Sequence, residues 1–352
     1  MDEAPRDFRY SPWPHRLAVA LALVTFPLIW VGGLVTTYDA GMAVPDWPGT
    51  YGYNLFLYPW QTWLAGPWDL FIEHGHRLLG ATAGLVAIAL YVTTYAVERR
   101  PAMHALAAGA LLLVIFQGGL GGARVVFDAR LVALVHGCVG PLFFAYLAGV
   151  IVATSRWWSD AKAPRLDTGA VRSLVTAAWF TVGLAFLQLA LGAVVRHVPL
   201  TSSPTVFRAA LLLHFVFAAL LSVQITVSSW RMWSVCQSAR GLTFPSLALP
   251  ILLLVQLGLG VATYVAKYSW PAWLADYSFA AGHVVQEKSL LQSMTVTAHV
   301  GNGSLILFLA ALLAVRVSRI SVLSTKYSVL GARPLSAKPA VPSRFAAAAP
   351  TA

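Results

Sequence analysis

Eight stretches of this chain, at about residues 17–37, 71–97, 104–124, 132–154, 173–195, 207–230, 243–266 and 294–315, run for some twenty residues or more with almost no charge. A hydrocarbon core of about 30 Å needs roughly 20 apolar residues in helical form, because only a helix or a closed barrel satisfies every backbone polar group there. The pattern therefore predicts an all-α polytopic membrane protein with eight transmembrane helices. The bulk composition agrees: 58% of residues are hydrophobic and 11% charged, far from the balance of a soluble domain.

The formal net charge of +11 would suit a nucleic-acid partner, but the basic residues follow the loops. Seventeen of the 24 Lys and Arg fall in segments on the side of the N-terminus and six on the opposite side, with Arg77 inside a helix. The positive-inside rule then places both termini in the cytoplasm and removes the need for nucleic acid. The start, MDEAPRDFRY, resembles neither a secretory signal nor an Arg-rich transit peptide, so a bacterial cytoplasmic membrane is expected. Two cysteines, Cys138 and Cys236, imply no disulfide framework.

Internal repetition organises the spans. Gln-x-x-Leu-Gly occurs at Gln117–Gly121, Gln188–Gly192 and Gln256–Gly260, and the first span ends similarly in Trp30-Val-Gly-Gly-Leu34. A duplicated four-helix unit follows: a cytoplasmic segment 1–16, an N-terminal half 17–154, an inner linker 155–172, a C-terminal half 173–315 and a weakly ordered cytoplasmic tail 316–352. The motif by itself is ordinary small-residue helix packing with a polar residue as glue.

The chemistry lies in the histidines. Four of nine sit inside apolar spans, one each in the second, fourth, sixth and eighth: His76, His136, His214 and His299. Each lies five to eight residues from the outer end of its span, so all four share a depth. Buried ionisable groups in a membrane are costly and usually functional, and neutral imidazole is a standard axial ligand of haem iron. The residue four positions on, on the same helix face, is small in each case: Gly80, Gly140, Ala218 and Gly303. A smooth wall beside each ring suits a macrocycle better than a bare ion. Glu73 stands at i, i+3 to His76 and is a candidate for proton transfer, whereas His74 points away from His76. Arg77, Arg124 and Arg196 are candidate partners for haem propionates.

Glu73-His-Gly-His76-Arg-Leu-Leu-Gly80, His136, His214, His299-Val-Gly-Asn-Gly303, Gly32-Gly-Leu-Val-Thr36 and Pro45-Asp-Trp-Pro48 together resemble the haem A synthase family, over about residues 17–315. That resemblance implies an enzyme that oxidises the C8 methyl of haem O to a formyl group by successive hydroxylations. It implies that His214 and His299 ligate a resident haem b, that His76 and His136 hold the substrate haem, and that Glu73 lies close to the reaction. It also implies an electron donor or acceptor, and contacts with a haem O synthase and oxidase assembly factors. Many bacterial members carry a cysteine pair in the first outer loop, whereas residues 38–70 here have none. Aromatic residues of that loop, Trp47, Tyr51, Tyr53, Phe56, Tyr58, Trp60, Trp63 and Trp68, are left to hold it or to form an interface belt. The alternative is a di-haem b-type membrane cytochrome that only transfers electrons.

Overall fold

The fold was obtained as a computed structural model, which describes residues 10–159, 168–199, 201–235 and 241–329. Eight helices among the described residues are long and apolar enough to cross a membrane. In chain order the helices are α1 (Trp13–Thr37), a short α2 (Trp60–Leu64), α3 (Trp68–Val97), α4 (Pro101–Phe127), α5 (Arg130–Thr154), a short α6 (Arg156–Ser159), α7 (Thr168–His197), α8 (Pro204–Val235), α9 (Thr243–Tyr268) and α10 (Leu290–Val329). No strand occurs among these residues, and one isolated bridge pairs Thr50 with Tyr53.

Local chemistry sets several helix ends. Pro14 and Pro101 occupy first-turn positions of α1 and α4, where a missing N–H costs nothing. Between α3 and α4 the Glu98 carboxylate accepts the backbone N–H groups of Arg99 and Arg100 and the Arg100 guanidinium, which turns the chain in three residues. Asp128 ends α4 in the left-handed region, at φ 43°.

The eight spans match the apolar runs, with longer ends. The largest difference is in α10: its helix continues to Val329, so Arg316 and Arg319, expected in a weakly ordered tail, are helical. Apolarity marks the hydrocarbon-spanning part of a helix and is silent about a polar extension beyond it. Of the seventeen basic residues expected on the N-terminal side, Arg6, Arg9, Lys162, Arg165, Arg240, Arg333, Lys338 and Arg344 lie outside the described residues, as does Cys236.

Two large apolar cores form among the described residues, beside a small cluster of Leu34, Val35, Ala40 and Ile72. One joins α1, α3, α4 and α5 through Leu21, Ala83, Ala87, Leu90, Phe143 and Leu147. The other joins α5, α7, α8, α9 and α10 through Leu174, Ile225, Leu249, Leu307, Val317 and Ile320. Helices α5 and α10 carry the junction, where Phe144 stacks on Phe308 at 4.4 Å and Gly301 lies under Trp30.

Candidate functional site

The structure brings the four histidines of the spans together in two pairs. His76 of α3 faces His136 of α5 with ring centroids 6.3 Å apart and planes at 79°. His214 of α8 faces His299 of α10 at 6.3 Å and 73°.

Each ring rests on a glycine of a neighbouring helix. A Cβ on Gly32, Gly121, Gly192 or Gly260 would stand 2.9, 3.2, 3.1 or 3.3 Å from the Cε1 of His76, His136, His214 or His299 respectively. The backbone carbonyl one turn earlier, of Leu28, Gln117, Gln188 or Gln256, lies beside the same ring. The last residue of Gln-x-x-Leu-Gly is thus the seat of an imidazole, and the first span shares the seat although Leu28 replaces the glutamine. Packing glue alone does not explain that.

The glutamines act on the histidine helices. Nε2 of Gln117 donates to the His136 carbonyl and Nε2 of Gln188 to the His214 carbonyl, each at 3.0 Å. Gln256 Nε2 stands 3.5 Å from His299 Nε2, and its Oε1 accepts from Asn302 at 2.8 Å. Gly140 and Gly303, read from sequence as bare wall, are where the Gln117 and Gln256 amides pack. Gly80 and Gly84, beyond His76, have nothing within 4 Å of a Cβ position.

The first pair has a polar neighbour on its own helix. Glu73 is 3% exposed; its Oε2 accepts the Val44 N–H at 2.9 Å and its Oε1 the Arg77 guanidinium at 2.8 Å. Arg77 also donates to the carbonyls of Val44, Asp46 and Gly49, at 2.7, 2.5 and 2.7 Å. Together these bonds fasten the loop of residues 38–59 onto α3. Trp47, which follows Asp46 and forms a cis peptide with Pro48, lies on Gly122 of α4. His74, turned away from His76 as its spacing requires, bonds Thr50 at 2.9 Å and packs against Tyr58 and Trp63. The loop aromatics therefore divide: Tyr58 and Trp63 are half-buried against His74, whereas Trp47, Tyr51, Tyr53, Phe56, Trp60 and Trp68 are exposed.

Asp46 caps the turn at the loop tip. Its carboxylate accepts the N–H groups of Tyr51 at 2.7 Å and Gly52 at 2.9 Å. Slight burial pushes its pKa upward, but these two bonds and the Arg77 charge outweigh that and hold the carboxyl below its usual value.

Arg124 presses against the backbone of Gly41 under the same loop and, among the described residues, donates no hydrogen bond. Arg196 of α7 crosses to α1, donating to the Gly33 carbonyl at 2.8 Å and the Thr37 hydroxyl at 2.6 Å. Sequence reasoning named the three arginines but missed what they hold, because a loop carbonyl leaves no mark in a motif.

A haem fits these pairs. The ring centroids stand 6.3 Å apart in both pairs, which would leave room for one iron held by the two imidazoles of a pair. Nδ1 of His76, His136 and His299 is buried without a hydrogen-bond partner, the carbonyl beside it being outside bonding geometry. No group of three or more His, Cys, Asp or Glu that would enclose a bare ion occurs among the described residues.

Comparison with known proteins agrees with this chemistry. The family profile COX15-CtaA, described as "Cytochrome oxidase assembly protein", matches residues 67–202. A heme A synthase from Symbiobacterium thermophilum is 31% identical over 184 residues, 50% of this chain and 56% of that protein. One from Shouchella clausii is 27% identical over 232 residues, 60% of this chain and 73% of its own length. The matched region thus spans little more than half of the first relative. The chain is thus similar to the COX15-CtaA family over residues 67–202, and to heme A synthases over about half of its length.

Proposed function

We propose that the chain is a haem A synthase, an oxidoreductase that converts the C8 methyl of haem O into a formyl group by successive hydroxylations. The observation that carries this reading is the contrast between two histidine pairs of equal geometry, one roofed by a loop with a buried carboxylate and the other not. His76 and His136 are assigned to the substrate haem, and His214 and His299 to a haem b. Bound there, haem b supplies one-electron transfer. The repeated glycine seats support a duplicated four-helix plan, with halves 17–154 and 173–315. Both termini are assigned to the cytoplasmic side of a bacterial membrane.

The protein's own groups bind and orient. A histidine that ligates through Nε2 keeps a proton on Nδ1, and a small rotation of the His76, His136 or His299 ring would let it donate that proton to the carbonyl of Leu28, Gln117 or Gln256. Glu73, one turn from His76, takes a proton from the substrate edge or steadies positive charge there, where burial makes one carboxylate count. Arg77 positions Glu73 and holds the loop closed over the site, which excludes water. Arg124, with its donors unspent, and Arg196 are assigned to propionates. Haem O delivery by a haem O synthase, and hand-over to oxidase assembly factors, belong to the same reading.

Matched pairs also suit a di-haem electron carrier, and one experiment separates the two. The protein is purified from a host that makes haem O but not haem A, and its haems are extracted and resolved by reversed-phase chromatography. Haem A or its alcohol precursor is expected; haem B alone, with haem O supplied, would move the assignment to the carrier.

A further inference from the structure

Arg316 and Arg319 lie 17 and 20 residues beyond His299 on α10, about 26–30 Å along the helix, hence at the membrane surface opposite the histidines. Among the described residues neither guanidinium has a carboxylate partner. Arg316 donates to the Gly241 carbonyl and lies 5.6 Å from the centre of the Trp157 ring. Arg319 donates to the Trp158 carbonyl at 3.0 Å and lies 4.8 Å from that indole's centre. Each guanidinium has five N–H donors, and each uses one. Glu98, the acidic group at this end among the described residues, is taken by Arg100, whose positive charge bears on Arg319.

Stacking on an indole holds a guanidinium in place without neutralising it. Among the described residues Arg316 and Arg319 therefore keep their charges, unpaired with a carboxylate, at the level of the headgroups. We propose that this corner, built from α10 and the α5–α6 turn, binds the phosphate of an anionic phospholipid. A phosphodiester accepts two parallel N–H bonds from an arginine fork, and a basic pocket between helices near the surface is where such a headgroup is reached. The two tryptophans sit at interface height, where indole is favoured, and serve as the platform beneath the forks. A lipid satisfies the site better than a soluble anion, because its acyl chains already lie in the adjoining bilayer.

Native mass spectrometry of the full protein, titrated with phosphatidylglycerol or phosphatidylcholine, tests the site. The wild type is expected to retain one phosphatidylglycerol in preference to phosphatidylcholine. Each arginine near the surface contributes about fivefold, so Arg316→Gln/Arg319→Gln is expected to weaken retention roughly 25-fold. Arg319→Lys, which keeps the charge, serves as the second variant and is expected to lose less than Arg319→Gln; haem content and unfolding in phosphatidylcholine show whether each variant folds. Equal retention of both lipids, or retention unchanged in the double variant and in Arg319→Gln, overturns the proposal. So does displacement of phosphatidylglycerol by millimolar inorganic phosphate, which would mark the corner as a soluble-anion site.

Discussion

His76 with His136, and His214 with His299, have the same ring separation and nearly the same interplanar angle, and each ring uses the same glycine seat. Their surroundings differ. Beside the first pair stand a buried carboxylate, its arginine and a loop drawn down by four hydrogen bonds from those two side chains. Beside the second stand amides: Gln188 Nε2 lies 3.1 Å from the His214 Nδ1, and Gln256 is held by Asn302. The outer segment above it, 269–289, leaves Trp273, Tyr277, Phe279 and Val284 exposed. On the proposed function, likeness in the seats would let the two pairs bind the same kind of group, and difference in what covers them would set chemistry at one and electron transfer at the other.

The seats offer the strongest way to separate the sites. Gly32→Val places a branched side chain where even a Cβ is 2.9 Å from the His76 ring. Loss of the haem bound by His76 and His136 is expected, at least tenfold by haem stoichiometry, with the other haem retained. Gly192→Val should do the converse. If either variant lost both haems together while remaining folded, the sites would not be independent.

Next in size is the roof. Glu73 and Arg77 are both buried, and removing one partner of such a pair costs about 3–5 kcal/mol because the other charge is stranded. Glu73→Gln is expected to stop conversion of haem O in the population that still holds haem b, and Arg77→Gln to lower the unfolding temperature and loosen the loop to protease. Normal haem content with normal conversion in Glu73→Gln would remove the carboxylate from the mechanism.

Acid should act on the first site only through the loop. Because the folded-state pKa of Asp46 is depressed, its contribution is present above the unfolded value of about 3.9 and is lost as pH falls through the folded one. The Asp46 share of the loop's protection from protease should therefore be flat from neutral pH to about 5 and decline below about 4, and Asp46→Asn should remove that share of the pH dependence. The smallest effect is expected of Thr50→Val, which strands His74 for about 1 kcal/mol and shifts loop protection without touching the second pair.

The eight spans were legible because twenty apolar residues in a row have few alternatives, and the four histidines because they interrupt such runs. The overrun of α10 was not, since polar helix and polar tail look alike in composition. At the site, sequence singled out Glu73, Arg77, Arg124 and Arg196, yet the loop partners of Glu73 and Arg77 are backbone groups 28 or more residues away. Contacts to backbone carry no side-chain signature, so Arg77 read as a propionate partner although the loop occupies both its terminal nitrogens. The glycine seats had a signal, the recurrence of Gln-x-x-Leu-Gly, but its meaning required the rings to be in place.

The unequal roles of the two pairs are tested most directly by identifying the haems left in His76→Ala/His136→Ala and in His214→Ala/His299→Ala, each purified from the haem O-producing host. The account predicts that the first variant keeps haem B and loses haem O and its oxidised products, while the second loses haem B and retains unconverted haem O. The same haem lost from both would contradict it.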